Sequence, residues 1–213
     1  MDAYKEYIRK APIMKLFDYL PSGNGYKVRL LLSYLGLGYA YEGVDIVKGG
    51  AKTAQFLALN PAGQIPLLQL DNGSTLAQSN AILYYLAQGT VYWPHTQFEQ
   101  AQALQWMFFE QYTHEPAIAV ARYIRHYAMD TREAELSALT PKGYKALDVM
   151  ETHLSAQDWF AGDQRSISDI AIYAYTHVAE EGGFDLSPYP KVRAWLARVQ
   201  DHPRHIKITD VPA

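Results

Sequence analysis

The chain contains no cysteine at all. That excludes disulfides and every mechanism that needs a protein thiolate, so any thiol chemistry has to use a sulfur brought by a ligand. It has no run of about 18 or more apolar residues, and its opening positions carry Asp2, Lys5, Glu6, Arg9 and Lys10 where a signal peptide would be apolar. A cytoplasmic protein with no membrane partner is expected. Basic blocks are missing too: 19 Lys and Arg against 22 Asp and Glu leave a net charge of −3, so no nucleic acid partner is expected. His114, His126 and His177 are scattered without metal-ligand spacing, so no metal site is expected. Internal repeats and low-complexity tracts are likewise missing.

What the chain does have is 49% hydrophobic residues over 213 positions, enough for one sizeable core or two smaller ones. Residues 14–18 read as a first strand. A helix then opens near Ser22, with Val28, Leu31, Leu32 and Leu35 spaced for one buried face. Residues 39–47 mix Tyr, Val and Ile with polar positions as a strand does, and 48–59 read as a loop ending in one or two helical turns. A strand at 67–70, the tight turn Asp71-Asn72-Gly73 and a return strand lead to a helix from about residue 78, with Ile82, Tyr85 and Leu86 inward. This βαβ then ββα order makes a compact α/β layer.

Gly89 to Pro94 breaks the pattern, and only helices follow. Ala101, Leu104, Phe108 and Tyr112 mark one over 97–115, and Pro116 predicts a kink or break before 118–128. Thr140-Pro141 reads as an N-cap with a first-turn proline, ahead of Tyr144, Leu147, Met150 or Glu151, and Leu154 on one side. A further helix begins at Ser166 and ends near Gly182-Gly183. The last carries Val192, Trp195, Leu196 and Val199 and stops at His202-Pro203. The expected division is an extension at 1–13, an α/β domain at 14–88, a linker at 89–97 and a helical domain at 98–213.

Two motifs carry chemistry. In Asn60-Pro61-Ala62-Gly63-Gln64-Ile65-Pro66 an X-Pro bond stands where a strand begins, and a cis bond there would turn the Ile65 amide and carbonyl outward to pair with a ligand as an added strand. Asn-Pro and Ala-Gly are also ordinary loop punctuation. Gln78-Ser79 sits at a helix start, where unpaired amides and the positive dipole end favour an anion, although a serine there also serves as a plain N-cap.

Together these residues resemble the glutathione site of cytosolic glutathione transferases. Ser22-Gly23-Asn24-Gly25-Tyr26-Lys27-Val28 resembles the catalytic loop of the serine-using, bacterial-like branches of that family. Ser166-Ile167-Ser168-Asp169 resembles the capping box of its second domain. The resemblance runs from 14 to about 205. It implies an N-terminal α/β thioredoxin-like domain plus an all-α C-terminal helical domain, glutathione as co-substrate, a small hydrophobic electrophile as partner, and a homodimer.

The implied task is to hold glutathione as its thiolate beside an electrophile. Lowering a thiol pKa by about two units needs roughly 2.7 kcal/mol of preference for the anion. One hydroxyl hydrogen bond to a charged acceptor supplies about 1.5–3 kcal/mol. Ser22 is the first candidate for that donor, Asn24 the second and Tyr19 the third; alignment on the following helix puts Asp18, not Tyr19, at the position of the catalytic tyrosine in tyrosine-using branches. Ser22 and Asn24 are also ordinary turn formers. Ser79 with the helix amides is assigned the γ-glutamyl carboxylate, Ile65-Pro66 the ligand backbone, and Lys52 or Gln64 the glycine carboxylate. Gln78 stands where the family commonly has Glu, so the ligand's ammonium meets a neutral acceptor. For the electrophile, Trp106, Phe109, Tyr112 and Tyr123 could line an apolar pocket with Glu110 or Arg122 at its edge, although such spacing also marks a core. Other glutathione-dependent reactions (peroxide reduction, dehalogenation, ether cleavage) and a non-catalytic binding module use the same fold.

Overall fold

A computed structural model of the chain describes residues 14–212, so the extension expected at 1–13 lies outside the described residues. One compact unit comprises the chain through Thr90 together with the segment from Pro203, and a second runs from Val91 to His202.

In the first unit β1 (Lys15–Asp18) pairs in parallel with β2 (Ala40–Gly43) through the crossover helix α1 (Gly23–Leu35). It pairs antiparallel with β3 (Leu67–Gln69), which turns back into β4 (Thr75–Ala77), giving the order β2-β1-β3-β4. Gly73, with φ 83°, makes the turn of that hairpin. A 3₁₀ turn at Gly50–Lys52 leads into α2 (Ala54–Leu59), and α3 (Ser79–Ala87) follows β4.

Side chains alternate along β1 as a strand of a layered sheet requires. Leu16 and Asp18 are buried, while Phe17 faces the other way, edge-on to Phe56 at 6.1 Å, in a cluster with Val44, Ala51 and Leu67. Helix α1 is buried nearly all round, from Tyr26 through Leu32 without interruption.

The reason lies in residues 203–212, and here the structure corrects the expected boundary. The helical domain does not extend to 213. The segment from Pro203 packs on α1 instead: Tyr26 Oη donates to Ile206 O at 2.6 Å, Ser33 Oγ to Arg204 O at 2.8 Å and Arg29 Nη1 to Ile208 O at 3.1 Å. Nothing apolar in 203–212 repeats at helical spacing, so its docking could not be read from pattern.

The second unit is all helical: α4 (Gln97–Phe109), α5 (Glu115–Tyr127), the short α6 (Met129–Arg132), α7 (Leu136–Leu154), α8 (Ile167–Thr176) and α9 (Pro190–Gln200). Thr96 and Glu99 form a capping box at the start of α4. The break expected at Pro116 takes the form of a π turn, Glu110–His114, in which the Glu115 amide bonds back to Glu110 O. The wider turn re-registers the ladder just before a residue that has no N–H to give.

Thr140-Pro141 does not start a helix. Helix α7 begins at Leu136 and carries Pro141 inside it, where Thr140 Oγ1 caps the Leu136 carbonyl at 2.8 Å from within the first turns. A proline this close to a helix start removes one ladder bond and leaves the rest of the helix intact.

Helix α8 is buried on every side. Its N-terminus is held by Asp169, whose carboxylate accepts Ser166 N–H at 2.9 Å, Trp195 Nε1–H at 2.9 Å and Phe160 N–H at 3.2 Å. No helix among the described residues is long and apolar enough to cross a membrane.

Candidate functional site

The first unit brings the loop after β1, the turn before β3 and the start of α3 to one region, because β1 and β3 are neighbours and α1 packs on α3. Ser22 occupies the N-cap position of α1 with extended backbone (φ −74°, ψ 125°). Its N–H bonds to Tyr19 O at 2.7 Å and its carbonyl accepts Tyr26 N–H at 2.9 Å, so main-chain bonds hold Ser22 in place without its side chain. The Ser22 hydroxyl caps nothing and is uncommitted among the described residues. A half-buried donor at a helix N-terminus is suited to an anion.

Asn24 lies in the first turn of α1. Its Oδ1 accepts Lys27 Nζ at 2.8 Å and Ser79 Oγ at 3.1 Å, which turns the amide nitrogen to the opposite side. Tyr19 is half-buried, and its N–H donates to Asp18 Oδ1 at 2.7 Å. Asp18 itself is buried, and Arg29 Nε meets its Oδ2 at 2.9 Å.

The peptide bond before Pro66 is cis. Neither the amide nor the carbonyl of Ile65 takes a hydrogen bond among the described residues, leaving one donor and one acceptor of main chain unspent at the entrance to β3. The loop that presents them is stiff. Asn60, itself buried, donates from Nδ2 to Gln64 O at 2.7 Å and accepts Ala62 N–H at 3.2 Å. Lys52 Nζ crosses to Gly63 O at 2.9 Å and Ala62 O at 3.4 Å, so its ammonium sits beside this turn, although the residue, like Gln64, is exposed.

Gln78 and Ser79 complete the group. Gln78 is exposed at the N-cap of α3 with φ 71° and ψ 114°, the one non-glycine residue with positive φ among the described residues. Such backbone is costly and concentrates at functional sites. Ser79 is buried at the first position of α3, where helix amides lack intrahelical acceptors.

The sequence reading gave no role to Lys27, which is fully buried and also lies 3.4 Å from Ser79 Oγ. A lysine three positions after Asn24 shares its side of the helix, but nothing in the sequence marks that side as buried.

In the second unit the four aromatic residues proposed for the acceptor do not form one cluster. Trp106 is buried, packed on Phe109 at 5.1 Å, His153 at 4.7 Å and Phe160 at 4.6 Å. Tyr123 is exposed and pairs with Tyr127 at 5.4 Å, and Tyr112, 89% exposed, makes no ring contact among the described residues. Glu110 is buried, and Arg122 Nε is bound to Glu181 at 2.6 Å. A cavity of about 710 Å³ in this unit is lined by others, among them Phe98, His153, Trp159 and Phe160. Among the described residues, no group of three or more acidic or His side chains could hold a metal ion.

Residues 12–88 match the family model for the glutathione S-transferase N-terminal domain, and 105–203 match that for its C-terminal domain. The chain is 30% identical over 192 residues to the disulfide-bond oxidoreductase YfcG of Escherichia coli, covering 87% of this chain and 89% of that protein. It is similar to the crystal structure of a glutathione S-transferase from Pseudomonas fluorescens, with 52% identity, a TM-score of 0.90 and coverage of 93% and 100%. The structure of Ure2p in complex with glutathione shares the fold at 22% identity and a TM-score of 0.83, covering 98% of each chain.

Proposed function

The chain belongs to the glutathione S-transferase family, and we propose that it binds glutathione and stabilises its thiolate for attack on a small, hydrophobic electrophile. The observation that carries this reading is the uncommitted Ser22 hydroxyl at the N-terminus of α1, in the same unit as the unspent main chain of Ile65 and the buried Ser79. The tripeptide pairs with Ile65 as an added strand. Its γ-glutamyl carboxylate meets the first amides of α3 and Ser79, and its glycine carboxylate meets Lys52 or Gln64. Ser22 donates to the sulfur with Asn24 in support and Tyr19 third, and Gln78 accepts from the ammonium. Of the aromatic residues assigned to the acceptor, Tyr112 and Tyr123 are exposed and Phe109 is half-buried. A cytoplasmic homodimer acting in detoxification completes the reading.

Calorimetric titration tests it. Wild type binds glutathione, Ser79→Ala weakens binding, and Ser22→Ala retains binding but loses turnover by roughly 10- to 100-fold, the worth of one hydrogen bond to a charged acceptor. Absence of heat from the wild type would overturn the reading.

A second reaction at the same site is favoured by the similarity to YfcG and by the lack of any protein thiol. The glutathione thiolate attacks one sulfur of a substrate disulfide, the other leaves as thiolate, and a second glutathione resolves the mixed disulfide. Product analysis separates the two: a thioether conjugate in the first, glutathione disulfide in the second.

A further inference from the structure

Residues 207–210 close into a turn from both ends: Asp210 N–H donates to Lys207 O at 3.1 Å, and Lys207 N–H donates to Asp210 Oδ2 at 2.8 Å. The closed turn presents two carbonyls, Ile208 O and Asp210 O, to one nitrogen, Arg29 Nη1, at 3.1 and 3.4 Å. The other two nitrogens of the same guanidinium hold the segment that leads to Ser22. Nη2 donates to Leu20 O at 2.6 Å, and Nε donates to Asp18 Oδ2 at 2.9 Å. Asp18 Oδ1 in turn accepts the Tyr19 N–H, and Tyr19 O accepts the Ser22 N–H, both at 2.7 Å. All of these residues belong to the first unit.

A guanidinium is a rigid planar fork, so displacing one corner moves the other two. We propose that the turn at 207–210 is a positioning element of the thiol site, acting through Arg29 on the main chain of residues 18–22 and so on the aim of the Ser22 hydroxyl. This rests on the glutathione reading above, with Ser22 as the donor to sulfur. A buried ion pair is a weak source of net stability, whereas a hydrogen bond weakens steeply as its donor leaves the right distance and angle. Asp210 is exposed and its carboxylate serves the turn, so removing it loosens the turn without cutting into the core.

The test compares Asp210→Ala, Asp210→Asn, Arg29→Lys, Ser22→Ala and the combination of Asp210→Ala with Ser22→Ala. Ser33→Ala is the control, because it removes a bond between α1 and the same C-terminal segment, Ser33 Oγ to Arg204 O at 2.8 Å, that lies outside the relay. The bound thiolate is followed by its ultraviolet absorbance against pH, S-methylglutathione binding by calorimetry and stability by urea unfolding. Asp210→Ala is expected to raise the midpoint of the bound thiol by roughly 0.5–1 unit, part of the worth of one hydrogen bond to a charged acceptor. It should bind S-methylglutathione, which has no thiol, as wild type does. Asp210→Asn can still accept the Lys207 N–H and should restore the wild-type midpoint. Arg29→Lys keeps a charge for Asp18 but has no fork, and should shift the midpoint at least as far as Asp210→Ala. Ser33→Ala should lower stability and leave the midpoint in place, and Asp210→Ala should add little to Ser22→Ala.

A midpoint in Asp210→Ala equal to wild type overturns the proposal, as does an equal shift in Ser33→Ala or a shift that adds in full to that of Ser22→Ala. Should Arg29→Lys fail to fold, Asp210→Ala decides alone. Failure of the wild type to bind either ligand, or an unmoved midpoint in Ser22→Ala, would sink the glutathione reading itself.

Discussion

Arg29 Nε stands 2.9 Å from Asp18 Oδ2 with neither side chain exposed. The rest of the guanidinium reaches Leu20 O at 2.6 Å, Ile208 O at 3.1 Å and Asp210 O at 3.4 Å, and Asp18 also accepts the Tyr19 N–H. One ion pair therefore ties β1, α1 and the C-terminal segment together and fixes the main chain of Tyr19 and Leu20, just ahead of Ser22. Burial pushes the Asp18 carboxyl up to about 6, against the lowering by Arg29 and the Tyr19 amide.

The sign of the resulting pH dependence follows from linkage. Between the ordinary value of 3.8 and about 6, the folded state keeps a proton that the unfolded state has released. Stability from this group is thus full below the lower value and is lost as pH rises through the upper one. Urea midpoints of wild type and Asp18→Asn, measured from acid to neutral pH, should diverge across that window. The wild type should decline relative to the variant, and parallel curves would refute the assignment.

Gly25 faces the same carboxylate. A Cβ added there would overlap Asp18 Oδ1 and its carboxyl carbon, and Asp18 cannot retreat because Arg29 and the Tyr19 amide hold it. Gly25→Ala should therefore destabilise by about 1–3 kcal/mol, the usual cost of overpacking, despite the better helix propensity of alanine. Gly38→Ala, at a site with open space around it, is the control in chemical denaturation.

The two-layer order of the first unit was legible because strand and helix periods differ and the hairpin turn carries Asn72-Gly73. The group at Ser22, Ile65 and Ser79 was legible because each lies at an element boundary, where residue type is constrained by main-chain geometry. Lys27 and Arg29 were not. A charged side chain inside an apolar helix reads as solvent-facing, and only the tertiary placement of α3 and of residues 203–212 shows that both are buried. Pro141 misled for a related reason: first-turn and second-turn prolines look alike in sequence. The aromatic residues of α4 and the π turn show why helical spacing alone does not separate core from pocket, since Trp106 is core and Tyr112 is not.

Asp169 holds more than a cap. A capping box alone predicts a loss of about 0.5–2 kcal/mol on removal, but here the same carboxylate also takes the Trp195 indole and the Phe160 amide. Burial raises its pKa, against the lowering by the Ser166 amide and the other donors. Asp169→Ala strands several buried donors at once, and roughly 3–5 kcal/mol is expected. Ser166→Ala leaves the indole and amide bonds in place and should cost only the capping value, so a ratio near one between the two variants in urea unfolding would contradict this account.

Gln78 combines a strained backbone with an exposed side chain at the helix end assigned to the γ-glutamyl group. The two properties can be separated by substitution. Gln78→Gly removes the steric penalty at φ 71° and should stabilise the fold by up to about 1 kcal/mol, while binding of glutathione weakens because the acceptor is gone. Gln78→Glu keeps the strain and supplies a charge for the ligand ammonium, a surface pair worth roughly 0.2–1 kcal/mol, or up to about fivefold in affinity. That gain should vanish at high salt, where such pairs are screened, and should be lost with a glutathione analogue lacking the amino group. If Gln78→Glu binds the two ligands with equal change, the ammonium lies elsewhere, and the orientation proposed for the tripeptide along Ile65 must be reversed.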